Sequence, residues 1–226
     1  MALAFSNLTS GASTVDASSF TTASITPPSD TLILLTVSSR LAAGAPNTPT
    51  VSGCGLTWVE ITNVVNTGGN RRLTCFRARG SSPTSGTLTI DFGGQSHTEA
   101  SWISDYVTDS DSSGTNGSGA IVQSATGSAA SGTTSTVTLA AFGSSSNAAY
   151  GVHVNTNPSA ITPGSGFTEL AENSTSESGT DMQSEYKLND TTVDATWTGS
   201  GSWYSLAVEI KQATTVADTT SFFQLF

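Results

Sequence analysis

The chain has 226 residues, with seven Lys or Arg against 17 Asp or Glu and a formal net charge of −10. So few basic groups exclude phosphate neutralisation on the scale that nucleic acid requires, and equally exclude docking on an anionic membrane surface. Serine and threonine make up about a third of the chain and charged residues 11%, while short runs of Val, Ile, Thr, Phe, Tyr and Trp recur between Ser, Gly, Asn and Pro; this pattern predicts many strands and many turns rather than disorder.

The N-terminal stretch MALAFSNLTSG lacks the basic start and apolar run of a secretory signal, and no segment is long and apolar enough to span a bilayer. The expectation is a chain made and used without export. Its sequons at Asn7, Asn116, Asn173 and Asn189 carry no weight in so Ser/Thr-rich a sequence.

The first half, residues 1–108, reads as strands over 20–26, 32–37, 72–79, 87–92 and 102–107. A polar linker follows at 109–119. The second half, 120–212, reads as strands over 135–142, 149–154, 192–197 and 203–210. The two halves repeat one another. Gly53, Gly55, Leu56 and Thr57 fall on Gly164, Gly166, Phe167 and Thr168; Phe76, Arg77 and Ala78 fall on Tyr186, Lys187 and Leu188; Trp102 falls on Trp203. Within 72–79 and 203–210, alternate residues point to opposite faces, as in half-buried antiparallel strands. The predicted fold is all-β: a jelly-roll-like β-sandwich built from two repeated halves whose strands interleave, with almost no helix.

Residues 213–226 break the repeat. Phe222, Phe223, Leu225 and Phe226 form an apolar end on a polar chain, either the last piece of core or an anchor at a partner interface.

No catalytic constellation is legible. His97 lies in a glycine-rich turn and His153 in a strand, with no nucleophile elbow near either. The carboxylate pairs Glu169 with Glu172 and Asp105 with Asp109 lack an apolar setting that would raise one pKa. The run from Asp109 to Gly114 starts like a calcium loop, but Ala120 stands where the closing glutamate belongs. Two cysteines, Cys54 and Cys75, are too few for a disulfide framework; they flank a hairpin and read as reduced thiols. No metal and no cofactor are expected. Arg71, Arg72, Arg77 and Arg79 hold four of the seven basic residues within nine positions; Arg71 and Arg72 are candidate partner contacts unless they pair with the chain's own carboxylates. Trp58 has no aromatic equivalent in the repeat and is the candidate glycan platform.

The paired Gly-x-Gly-[Leu/Phe]-Thr starts, aromatic strands and closing tryptophan strands resemble the jelly-roll-type domains of tailed-bacteriophage virion proteins, over about residues 20–211. That family includes decoration (cement) proteins and minor tail or fibre components. The resemblance implies a non-enzymatic virion protein, assembled in the host cytoplasm. It would be a homo-oligomer that contacts capsid or other virion proteins and stabilises the shell. The alternative is a carbohydrate- or receptor-binding module of a tail fibre or bacterial adhesin.

Overall fold

The computed structural model describes residues 1–175 and 180–214; the expected anchor residues Phe222, Phe223, Leu225 and Phe226 lie outside them. The strands of the first half are β1 (Ala4–Ser13), β2 (Ser19–Thr21), β3 (Leu32–Arg40), β4 (Thr50–Gly53), β5 (Val59–Val65), β6 (Arg71–Ala78), β7 (Leu88–Asp91) and β8 (Glu99–Thr108). After a single 3-10 turn (Ser118–Ala120) come β9 (Ile121–Thr138), β10 (Ala148–Asn155), β11 (Thr162–Pro163), β12 (Thr168–Thr175), β13 (Thr180–Leu188) and β14 (Thr192–Ile210). The protein is an all-β sandwich with antiparallel sheets.

One main sheet runs β1-β8-β3-β6-β5, and the other runs β9-β14-β10-β13-β12 with β11 also on β14. Each main sheet is therefore built from one half of the chain. The halves meet face to face, and the expected interleaving of their strands does not occur. Only β5–β6 and β12–β13 are neighbours in sequence; the other pairings are long-range but stay within one half of the chain. The two strand orders correspond position by position, β1 with β9, β8 with β14, β3 with β10, β6 with β13 and β5 with β12.

The second departure concerns burial: the strands expected to be half-buried, 72–79 and 203–210, are covered on both faces, with Thr74, Phe76 and Ala78 buried like Leu73 and Cys75, and Ser205 and Ala207 buried like Leu206 and Val208. Strands β3 and β10 are likewise buried on both faces, and their runs LILLTV and AAYGVHV have the continuous apolar character of doubly covered strands. Between the main sheets lies the central core, including Leu34, Leu73, Ile103, Tyr150, Met182 and Leu206. Across it, the Phe5 ring stacks on Tyr186 with centroids 4.3 Å apart. The outer face of the first sheet is covered by the small sheet β2-β7-β4, over a core that includes Leu35, Phe76, Leu88, Ile90 and Trp102.

The second sheet covers its own outer face by folding over. Gln123 and Ala140 are 17 residues apart, a separation of about 56 Å in a straight strand. Yet the Gln123 side chain donates to the Ala140 carbonyl at 3.0 Å and accepts its N–H at 2.9 Å. The long β9–β14 ribbon must therefore double back, and its register breaks between Thr196 and Trp203, where Gly199 takes a left-handed φ of 81°. Val137, Ala149, Phe167, Val193 and Ala207 fill the space inside the fold. In the first half the same path is cut into β1 then β2, and β7 then β8.

Residues 109–119, expected as a flexible linker, are instead tied at several points. Arg77 donates to the carbonyls of Thr115 (3.0 Å) and Asn116 (2.7 Å), Arg79 donates to the Ser110 hydroxyl at 2.5 Å, and Lys211 pairs with Asp111 at 2.6 Å.

The tryptophans that close the repeat sit against glycine. A Cβ on Gly11 would lie 2.8 Å from the Trp102 ring, and one on Gly127 3.3 Å from the Trp203 ring. Gly11→Ala should therefore destabilise the protein by about 1–3 kcal/mol through displacement of a rigid indole. Urea denaturation followed by tryptophan fluorescence measures this, and an unchanged midpoint would show that the ring moves without cost.

Candidate functional site

Ionisable side chains collect in the interior rather than in a cleft. At the junction of the two main sheets, Asp105 on β8 has no exposed surface. Its carboxylate accepts Tyr150 Oη from the opposite sheet at 2.8 Å and Asn7 Nδ2 at 2.9 Å. Burial raises its pKa from 3.8 to about 6, against the opposing effect of these hydrogen bonds. At the other end of β8, Arg71 donates to Glu99 at 3.5 Å and, across the junction, to Thr180 at 2.5 Å, while Ser38 and Tyr204 share a 2.8 Å hydrogen bond.

Arg71 is thus only 6% exposed, and the expectation that it contacts a partner is corrected: it joins the halves. Arg72 bonds the Pro46 carbonyl at 2.8 Å and Asn63 Oδ1. Arg77 and Arg79 are held on the connection; Arg72, Arg77 and Arg79 each bond a backbone carbonyl yet stay half-exposed.

The second interior cluster was not legible in the sequence. On the outer face of the second sheet, His153 Nδ1 lies 2.6 Å from Ser135 Oγ and 3.2 Å from Ser205 Oγ, and its Nε2 lies 3.3 Å from Glu185 Oε1. Serine, histidine and carboxylate are aligned as in a hydrolase triad, but all four side chains have 0% exposure. A nucleophile with no accessible surface cannot meet a substrate, so the cluster acts here as a buried polar brace inside the folded-over layer. Its members come from β9, β10, β13 and β14, too far apart in sequence for any motif. His97 is buried as well, stacked on Phe92 at 3.7 Å, and burial lowers its pKa to about 4.

Two of the surface cavities among the described residues carry ionisable side chains. One of about 510 Å³ is lined by Val122, Ser146, Asn147, Glu209, Lys211 and Thr214 among others. Its carboxylate, Glu209, already accepts Gln123 and Asn147 at 2.6 Å each. The other, about 280 Å³, holds Glu172 and Asp181. Here the sequence expectation is corrected: burial raises the Glu172 pKa, assisted by Glu169 and Asp181, although Glu172 also accepts the Ile161 N–H at 2.6 Å. Asp105 has the raised pKa of an acid too, but it lies in the junction away from both cavities.

Asp111 Oδ1 accepts the Ser113 N–H at 2.7 Å, and its Oδ2 pairs with Lys211, which together hold its pKa down at about 2. Among the described residues no group of three or more His, Cys, Asp or Glu is arranged to hold a metal ion. Cys54 and Cys75 are free and buried in different cores. Trp58, the candidate platform, is half-buried against the outer core of the first half, and its Nε1 donates to the Gly53 carbonyl at 3.4 Å.

Two of these interior groups give measurable expectations. The raised pKa of Asp105 favours its protonated form in the folded state. Its contribution is therefore neutral below about pH 4, becomes unfavourable as pH rises towards 6, and reaches on the order of 3 kcal/mol above that. The stability of Asp105→Asn relative to wild type should accordingly improve between pH 4.5 and 7.5, as read by urea denaturation at both pH values; a pH-independent difference would refute the assignment. His153→Ala, which leaves Glu185 buried without its partner, should cost about 3–5 kcal/mol. Glu185→Gln, which introduces no stranded charge, should cost less in the same assay.

Compared with known protein families, curated proteins and solved structures, the chain matches none of them.

Proposed function

We propose that this chain is a structural protein of a tailed-phage virion, most simply a capsid decoration protein, and that it carries no catalytic centre. One observation carries the non-catalytic part of the reading. The side chains with the strongest chemistry, namely His153 with Ser135 and Glu185, Arg71 with Glu99, and Asp105 with Tyr150, are interior and spend their hydrogen bonds on fastening layers together. What is left for the surface is mostly small hydroxyl and methyl groups on stiff sheets, which suits broad contacts between subunits better than recognition of a small ligand. The virion assignment itself rests on the sequence resemblance. In that role the chain would stabilise an assembled shell by binding only to the assembled state.

The rival reading, a glycan-binding module, needs an open aromatic face, and Trp58 gives it little support because its ring is half-buried and its N–H is engaged.

Quantitative mass spectrometry of purified particles tests the proposal. The chain should be present in a fixed ratio to the major shell subunit, and particles made without it should lose heat resistance that purified protein restores. Absence from the particles, or a few copies per particle with shell stability unchanged, would overturn the decoration role.

A further inference from the structure

Among the described residues, β9 pairs only with β14, so its other edge presents unpaired backbone N–H and C=O groups. Free edges of this kind add strands from other chains unless charge, proline or a bulge blocks them. The edge strands β5 and β12 carry such protection: Glu60 on β5, Glu169 and Glu172 on β12, and a register shift in each pairing. β1 has no charge but is bulged at Asn7–Thr9.

β9 offers the longest edge of this uncharged kind. Its 18 residues, IVQSATGSAASGTTSTVT, like the ten of β1, include no charged residue and no proline, and the shifts in its pairing lie at the ends of its Gln123–Ala129 run and beyond. From Gln123 to Ala129 its register against Glu209 to Trp203 is unbroken. Along that run Ser124, Thr126 and Ser128 are exposed, and all are small enough to let another sheet approach closely.

We propose that two copies of this chain associate edge to edge through β9, antiparallel about Thr126, so that the second main sheets of both copies form one continuous sheet. A second copy is the occupant that the charges favour. A chain of net charge −10 repels itself everywhere except where charge is missing, and β9 is the longest uncharged edge of the described structure. A strand paired with itself about a two-fold axis is also self-complementary, so the assembly closes as a dimer instead of growing. In the antiparallel register Gln123 faces Ala129 of the other copy, and Thr126 meets its own equivalent on the axis. The inference concerns the association of the protein with itself and holds whether or not the chain serves in a virion.

Analytical ultracentrifugation of the full chain tests it. At 50 µM the wild type should sediment at twice the 23.0 kDa chain mass, and added salt should tighten the dimer by screening the mutual repulsion. Thr126→Lys should weaken association at least 100-fold, although it makes the chain less negative; an association governed by net charge alone would be strengthened by that change. Ser174→Lys, a control on exposed β12, should leave the dimer intact. Thr126→Cys should form a disulfide-linked dimer under mild oxidation, because Cys54 and Cys75 are buried and the two new thiols would face each other across the axis. A wild type that stays monomeric at 200 µM would overturn the proposal. So would a dimer that survives Thr126→Lys yet dissociates in Phe222→Ser/Phe223→Ser, which would place the contact on the C-terminal segment.

Discussion

Both main sheets are apolar on two faces, and the rest of the structure follows from that. A sheet with one wet face needs one partner; a sheet with Leu34 on one side and Leu35 on the other needs two. The main sheets provide the first cover for each other. The second cover comes from within each half, as the separate small sheet β2-β7-β4 in one and as the doubled-back β9–β14 ribbon in the other. The result is four layers. The glycines at the bends and against Trp102 and Trp203 exist to let those layers form: the bends need left-handed backbone, and the indoles need a neighbour without a side chain.

A four-layer β-protein of this size has more interior than its apolar residues can fill. Hydrophobic residues are 36% of the chain, so serine, threonine and a few ionisable groups are carried inside. Once inside, each is costly unless it is paired, and some hydroxyls, such as those of Ser101 and Thr74, find no partner among the described residues. The Asp105–Tyr150–Asn7 and Arg71–Glu99–Thr180 groups meet that need at the junction, and the Ser135–His153–Glu185 group meets it in the outer layer. Buried polar pairs of this sort add little net stability, but they penalise any arrangement that leaves one partner alone.

The same economy of charge shapes the outside. There are only seven basic residues, and the four arginines of the 71–79 cluster are each bonded within the chain, to Glu99, Pro46, Asn116 and Ser110, so the surface is mainly acidic, interrupted by neutral strands. Where the edges are acidic, as at β12, further strands are repelled. Where they are neutral, as at β9, they are not.

The sequence by itself determined the fold class, because strand periodicity and turn residues are local. It read β6 and the end of β14 as half-buried, whereas the small sheet over Phe76 and the folded-over ribbon over Ala207 bury their second faces too. The segments Gly53–Thr57 and Gly164–Thr168, aligned in the sequence, lead into β5 and β12. The sequence pattern missed β1 and most of β9, whose Ser, Ala, Thr and Gly have no apolar alternation because those strands lie at edges with one side in water. What the tertiary structure alone decided was the destination of the charged groups. Arg71 looks like a surface residue in a basic run, and His153 looks like an isolated strand histidine. Only the stacking of layers puts Thr180 against the first, and Ser135 and Glu185 against the second. Partners contributed by strands 18 to 109 residues away leave no spacing for a linear reading to find.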